Sequence, residues 1–268
     1  MPCPIITLTS DFGLKDPYVA EMRAVVLSIN SNVILVDVTH EIEKFNVRMG
    51  AFVLASAAPY FPRSTIHVAV VDPGVGTNRR PLLIQTKQGF LIGPDNGLLA
   101  LAAKNQKAEN IYAITNRKLM LPQISSTFHG RDIFAPAAAH LANGISPREF
   151  GPRIQKIVIP EFAKMVRKKD SLVGEVIHID GFGNIVTNFS KKEIELLNIK
   201  NTIKVKLKNA ELRLKLCRSY TDAEKGEPLA IIGSHDFLEI ALNQGNAAKI
   251  FRTKSGNTVT LYHESLGH

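Results

Sequence analysis

Cysteine is scarce in this chain: Cys3 and Cys217 are the only two among 268 residues. Neither falls in a metal-ligand spacing, and two cysteines do not make a disulfide framework. Long apolar runs are missing as well, since none approaches the roughly 18 residues of a membrane span. The opening Met1-Pro2-Cys3-Pro4 has no basic stretch leading into a cleavable apolar segment, so no secretory signal is expected. Repeats and low-complexity segments are absent too. These absences argue against a disulfide-stapled, membrane-spanning or repeat protein, and the expected setting is a reducing cytoplasm.

What is present is ordinary for a globular protein: 45% apolar and 21% charged residues. The length corresponds to about two domains with a sizeable core. The net charge of +9 raises the question of nucleic acid. The densest basic run, Lys164-Met165-Val166-Arg167-Lys168-Lys169, falls in an expected linker, however. Lys204, Lys206 and Lys208, like Arg213 and Lys215, alternate with apolar residues as the wet face of a strand does. No aromatic residues are interleaved for base stacking. A solvated face, with no nucleic-acid partner and no membrane, is the expectation.

Strand and helix signals alternate up to about residue 160. Strands are expected over 5–8, 33–38, 66–71, 82–86, 90–92 and 111–114, and helices over 18–30, 47–58, 98–103 and 131–142. Continuous apolar strands between helices indicate a mainly parallel sheet covered on both faces, with one antiparallel excursion at Gly89. Beyond Pro160 the chain turns charged and irregular. Short strands then follow over 172–179, 185–188, 203–207, 212–216, 229–232, 238–242 and 258–263, with one short helix over 191–197. The reading is an α/β protein: an N-terminal α/β domain over 1–163, a linker over 164–171, and a smaller all-β barrel or sandwich over 172–268.

Three strand ends carry unusual chemistry. Val71-Asp72-Pro73-Gly74-Val75-Gly76-Thr77-Asn78-Arg79-Arg80 follows an apolar strand, placing an aspartate at its carboxyl end, then a Gly-rich turn, then arginines. Ligands of open α/β sheets bind at that end. Taken alone, the stretch also reads as a tight turn with solvated charges. Thr9-Ser10-Asp11-Phe12-Gly13 repeats the pattern; there Asp16 can N-cap the next helix with Pro17 as its first residue, whereas Asp11 has no helix to cap. Thr127-Phe128-His129-Gly130-Arg131-Asp132 puts His129 in a strand-to-helix turn, while His140 on the helix reads as a structural hydrogen-bonder.

Two later loops are equally specialised. In Asp180-Gly181-Phe182-Gly183-Asn184, a Gly-rich hairpin accounts for everything except the exposed aromatic. Gly233-Ser234-His235-Asp236-Phe237-Leu238-Glu239-Ile240-Ala241 with Asn246-Ala247 again mixes small polar groups with an aromatic. Such loops suit a flat heteroaromatic ligand stacked on a ring and bonded along its edge.

Together, in this order along the chain, these five segments resemble the S-adenosylmethionine hydrolases, also called SAM hydroxide adenosyltransferases, relatives of fluorinating and chlorinating enzymes. The resemblance implies that Asp72, Arg79 and His129 handle the attacking water, with Arg80 the alternative to Arg79 and the spacing from Asp72 favouring Arg79. It implies that Asp11 holds the ribose hydroxyls, and that Asp16, Asp180, Asn184 and Ser234 surround the methionine end. Phe182 would stack on adenine and the Asn246-Ala247 backbone read its edge, with Phe237 and Glu239 also in the binding set. His235 stands where halogenating relatives place an arginine. Asp72 and His129 differ from the residues of the halogenating branch, which implies water rather than halide as nucleophile. A homotrimer with sites shared between subunits is implied as well.

The residue types suit the reaction. A sulfonium leaves as neutral methionine, so the difficulty is to aim water at ribose C5′, with Arg79 keeping Asp72 ionised. Neither a metal nor a cofactor is expected. Halide transfer and a non-catalytic adenosine or S-adenosylmethionine sensor are the alternatives.

Overall fold

The computed structural model describes residues 3–197, 199 and 201–262. The extreme ends of the expected domains and His263 of the expected last strand lie outside them. The chain divides into two compact units, Met1–Pro160 and Glu161–His268.

In the first unit the elements run β1 (Ile5–Ser10), α1 (Tyr18–Ile29), β2 (Ile34–Thr39), α2 (Val47–Ala57), β3 (Thr65–Val70), β4 (Pro81–Thr86), β5 (Gly89–Pro94), α3 (Ala100–Asn105), β6 (Ala108–Ala113), α4 (Ala135–Ala142) and β7 (Arg153–Ile154). They form one sheet of order β2-β1-β3-β5-β4-β6-β7. The first four strands of that order are parallel, and β4, β6 and β7 add antiparallel pairings. The excursion read at Gly89 is the β4–β5 hairpin. All six residues of β3 are buried, as expected of a strand covered on both faces. Helix α1 packs with α4, and α2 with α3. The order 2-1-3 makes the gap between β1 and β3 a switch point, the place where such sheets open a crevice at the strands' carboxyl ends.

Two local expectations are corrected. Asp16 does not cap α1: the N-cap residue is Pro17, with no side-chain cap bond, which leaves the Asp16 carboxylate exposed. The helix expected from 131 opens instead as a π-helical turn, Gly130–Phe134, before α4. Pro136 has no N–H to give the Asp132 carbonyl, and that carbonyl takes the Leu121 N–H at 2.9 Å.

The second unit comprises β8 (Val166–Arg167), β9 (Ser171–Ile179), β10 (Ile185–Ser190), α5 (Lys191–Leu196), β11 (Thr202–Lys206), β12 (Glu211–Cys217), β13 (Pro228–Ile232), β14 (Phe237–Leu242), α6 (Ala247–Ile250) and β15 (Thr258–Tyr262). The order β10-β14-β13-β12-β11-β15-β9 closes through β9–β10 pairing, giving a seven-stranded barrel with β8 added on β9. Ile203, Val205, Leu214, Val259 and Leu261 fill its core. Lys204, Lys206, Arg213 and Lys215 point outward from the same strands, as their alternation requires. The short helix α6 has no counterpart in the sequence reading. Phe237, read as a loop aromatic, opens β14 and is buried. Among the described residues no helix is long and apolar enough to cross a membrane.

Candidate active site

Parallel pairing of β1 with β3 sets Ser10 opposite Val70. Asp11 and Asp72 therefore leave the sheet from adjacent strands at the same end, although they lie 61 positions apart along the chain. A cavity of about 320 Å³ opens there, lined by Asp11, Asp16, Asp72 and His129 and walled by aromatics. The rings of Phe12, Tyr18 and Phe128 pack together with centroids 5.1–5.8 Å apart.

Arg79 joins the two most reactive groups of this crevice. Its Nε donates to both oxygens of Asp72, at 3.0 and 2.9 Å, and its Nη2 lies 2.6 Å from His129 Nδ1. A guanidinium only donates, so His129 Nδ1 accepts and the ring proton resides on Nε2. Burial, then the Arg79 charge, holds the His129 pKa below its ordinary value, against an upward pull from Asp72 and Asp132. A neutral imidazole with an Nε2–H donor follows. The Arg79 and Asp72 side chains are only 8% and 5% exposed, and the guanidinium lies 5.3 Å from the Phe134 ring centre. Arg80 turns away instead and pairs with Asp95.

Gly76 is what lets this turn close. Its φ is +77°, and a Cβ there would lie 2.3 Å from the Ser126 carbonyl oxygen, so only glycine brings turn 72–79 down onto the loop carrying His129. That loop is held by Asp132, whose carboxylate accepts the Ser125 N–H at 2.7 Å and pairs with Arg131.

Asp11 is buried, and its Oδ2 accepts the Phe45 N–H at 2.8 Å while Lys44 Nζ reaches its carbonyl. Phe45 is 69% exposed with φ of 64°, a left-handed conformation that costs a non-glycine residue energy. Sequence reasoning missed Lys44 and Phe45. Phe12 and Phe128 stood inside quoted motifs without a role.

In the second unit, Asp180 Oδ1 accepts the N–H groups of Phe182 and Asn184 at 2.9 and 2.8 Å, and Asn184 Nδ2 donates to Oδ2 at 2.8 Å. This knot holds Phe182 82% exposed at the tip of the turn. Gly183, at φ +88°, touches Asn246: a Cβ would lie 2.1 Å from that side chain. The Ala248 N–H also donates to the Gly183 carbonyl at 2.9 Å, so the two expected adenine-facing segments form one surface. Asn246 caps α6 through its side chain, and Ala247 is fully buried.

Glu239 is buried and accepts the Tyr220 hydroxyl at 3.1 Å. Burial raises its pKa; the Tyr220 bond opposes this and Asp180 adds to it. The Tyr220 phenol is pushed up to about 12 by burial and by Glu239. Tyr220 gave no signal in the sequence, since it lies in a one-turn 3-10 helix far from either motif. Ser234 and His235 are exposed in the turn before β14. Among the described residues no His, Cys, Asp and Glu cluster is arranged to hold a metal ion.

Comparison with known proteins shows what the chain as a whole is similar to. The profile of the SAM hydroxide adenosyltransferase N-terminal domain matches residues 6–151, and that of the C-terminal domain matches 174–260. A Methanocaldococcus jannaschii protein named (R)-S-adenosyl-L-methionine hydrolase is 38% identical over 92% of this chain and 91% of its own. A fluorinase from an Actinoplanes species is 29% identical over 96% of this chain and 97% of its own. The crystal structure of an uncharacterized conserved protein from Thermotoga maritima superposes with a TM-score of 0.85 at 37% identity, covering 96% of this chain and 99% of that one.

Proposed function

The chain belongs to the SAM hydroxide adenosyltransferase family, and from that premise we infer that it hydrolyses S-adenosyl-L-methionine to adenosine and L-methionine. The observation that carries the chemistry is the single guanidinium of Arg79 bonded to both Asp72 and His129 at the cavity wall. Water held there donates a proton toward Asp72 and accepts a hydrogen bond from His129 Nε2–H, which turns an oxygen lone pair toward ribose C5′. As the carbon–oxygen bond forms, the carbon–sulfur bond breaks and its electron pair leaves with methionine as a neutral thioether. Asp72 takes the proton lost by the attacking water. Near-attack placement of water and carbon contributes roughly 7–11 kcal/mol at best.

In this reading Asp11 receives the ribose hydroxyls. Asp16, Asp180, Asn184 and Ser234 surround the methionine end, Glu239 acts there through Tyr220, and Phe237 closes the turn through its carbonyl, which accepts the Gly233 N–H at 2.9 Å. Phe182 stacks on adenine and the Asn246-Ala247 backbone reads its edge. The enzyme works without metal or cofactor, in the cytoplasm, as a homotrimer whose subunits share sites. An Asp72 carboxylate beside the reacting position repels an anionic nucleophile, which favours water over halide.

Incubation with S-adenosyl-L-methionine followed by chromatography is expected to yield adenosine and methionine in equal amounts. Formation of 5′-chloro-5′-deoxyadenosine when chloride is added, in place of adenosine, would overturn the assignment. Asp72→Ala is expected to abolish turnover while leaving substrate binding, read by calorimetry, largely intact. Binding without turnover by the unaltered protein would mean a sensor instead.

A further inference from the structure

Behind the crevice, Ser10, His40 and Asp37 stand in line. Ser10 Oγ lies 2.7 Å from His40 Nδ1, while His40 Nε2 faces Asp37 Oδ1 at 3.2 Å without a hydrogen bond between them. The composition is that of a nucleophilic triad, but burial excludes that role. Ser10 is 1% exposed and its Oγ already accepts the Phe12 N–H at 3.3 Å. The polarity of the line follows from its ends. Asp37, paired with Arg23, carries negative charge near His40 Nε2, and that charge alone favours the ring proton on Nε2, which makes Nδ1 the acceptor. The Ser10 hydroxyl donates to that nitrogen, which leaves its lone pairs toward Phe12 N–H. The His40 carbonyl meanwhile accepts the Gly13 N–H at 2.7 Å. One residue thus grips both ends of the turn that contains Asp11. His40 itself is buried, and burial, then Arg23, holds it below its ordinary pKa.

We propose that His40 is a positioning residue that, through Ser10 and the turn 10–13, sets the Asp11 carboxylate to accept the ribose hydroxyls and so determines preference for ribose over 2′-deoxyribose. This rests on the assignment of Asp11 to the ribose. Calorimetric titration of the whole protein with adenosine and with 2′-deoxyadenosine tests it. Wild-type protein is expected to prefer adenosine. His40→Gln and Ser10→Ala are expected to lose about tenfold in adenosine affinity, with 2′-deoxyadenosine affinity nearly unchanged, so that the preference collapses. His67→Gln, at a buried histidine bonded to Thr7 rather than to the turn, is expected to keep the preference. A preference retained in both His40→Gln and Ser10→Ala would overturn the proposal alone. Wild-type protein with no preference would overturn the Asp11 assignment and the proposal with it.

Discussion

At the residue scale, two adjacent arginines of identical chemistry have different partners, and their substitutions should separate. Lysine at position 79 has one compact charge and cannot hold Asp72 in two bonds while also reaching His129. Arg79→Lys is expected to lower kcat by about 10²-fold or more with a small change in KM, whereas Arg80→Lys, whose partner is Asp95, should leave kcat near wild type. The pH profile follows from His129. Its pKa is lowered, so the acceptor at Nδ1 is intact above that value and is lost as pH falls through it. The acid limb of kcat/KM is therefore expected below the ordinary histidine range and should vanish in His129→Gln; a limb that survives the substitution would assign it elsewhere. Tyr220→Phe removes the donor to Glu239 and is expected to raise KM several-fold with kcat retained. Steady-state kinetics reads all of these. Arg79 and Arg80 are indistinguishable by residue type, and only their directions from the turn tell them apart.

At the element scale, strand β3 carries a stability prediction. Burial lowers the His67 pKa to about 4, so the folded protein keeps it neutral while the unfolded chain protonates near 6.5. Stability from this group is fully present above 6.5 and is lost as pH falls toward 4, by about 3 kcal/mol at most. Denaturant unfolding across that range should show a shallower slope in His67→Gln than in the wild type, the remainder coming from His40 and His129, whose pKa values are lowered too. Gly76→Ala should cost stability and activity together, because turn 72–79 must withdraw from Ser126 and take Asp72 and Arg79 with it. Most elements were legible because apolar periodicity reports burial directly: the six residues of β3 are continuously apolar except Thr65 and His67, and β11 alternates strictly. The π-helical turn was not, although Pro136 marked it, because which carbonyl loses its partner is a matter of three-dimensional neighbours. Asp16 misled for the opposite reason: its residue type favours a cap, but the chain enters α1 at Pro17 with no side-chain bond.

At the scale of the whole molecule, the proposed trimer has a direct test. Mixing Asp72→Ala with Phe182→Ala protein, after dissociation and reassembly, should restore roughly a quarter of wild-type activity if subunits share sites, and none if each chain builds its own. Light scattering on the unmixed protein reads the oligomeric state independently.

The amino-acid order by itself determined the division into an α/β half and a β half, because periods of 3.6 and 2 and continuous apolar runs are properties of neighbouring residues. It also determined the inventory of reactive groups, since short motifs such as Thr9-Ser10-Asp11 and Phe128-His129-Gly130 survive intact in a string of letters. Only the tertiary structure decided that Asp11 and Asp72 stand side by side, that Arg79 rather than Arg80 reaches His129, that the β half closes as a barrel, and that Ser10, His40 and Asp37 line up behind the crevice. Those relations depend on strand order and register. Both are settled by which faces pack against each other across the fold, and not by any residue's neighbours along the chain.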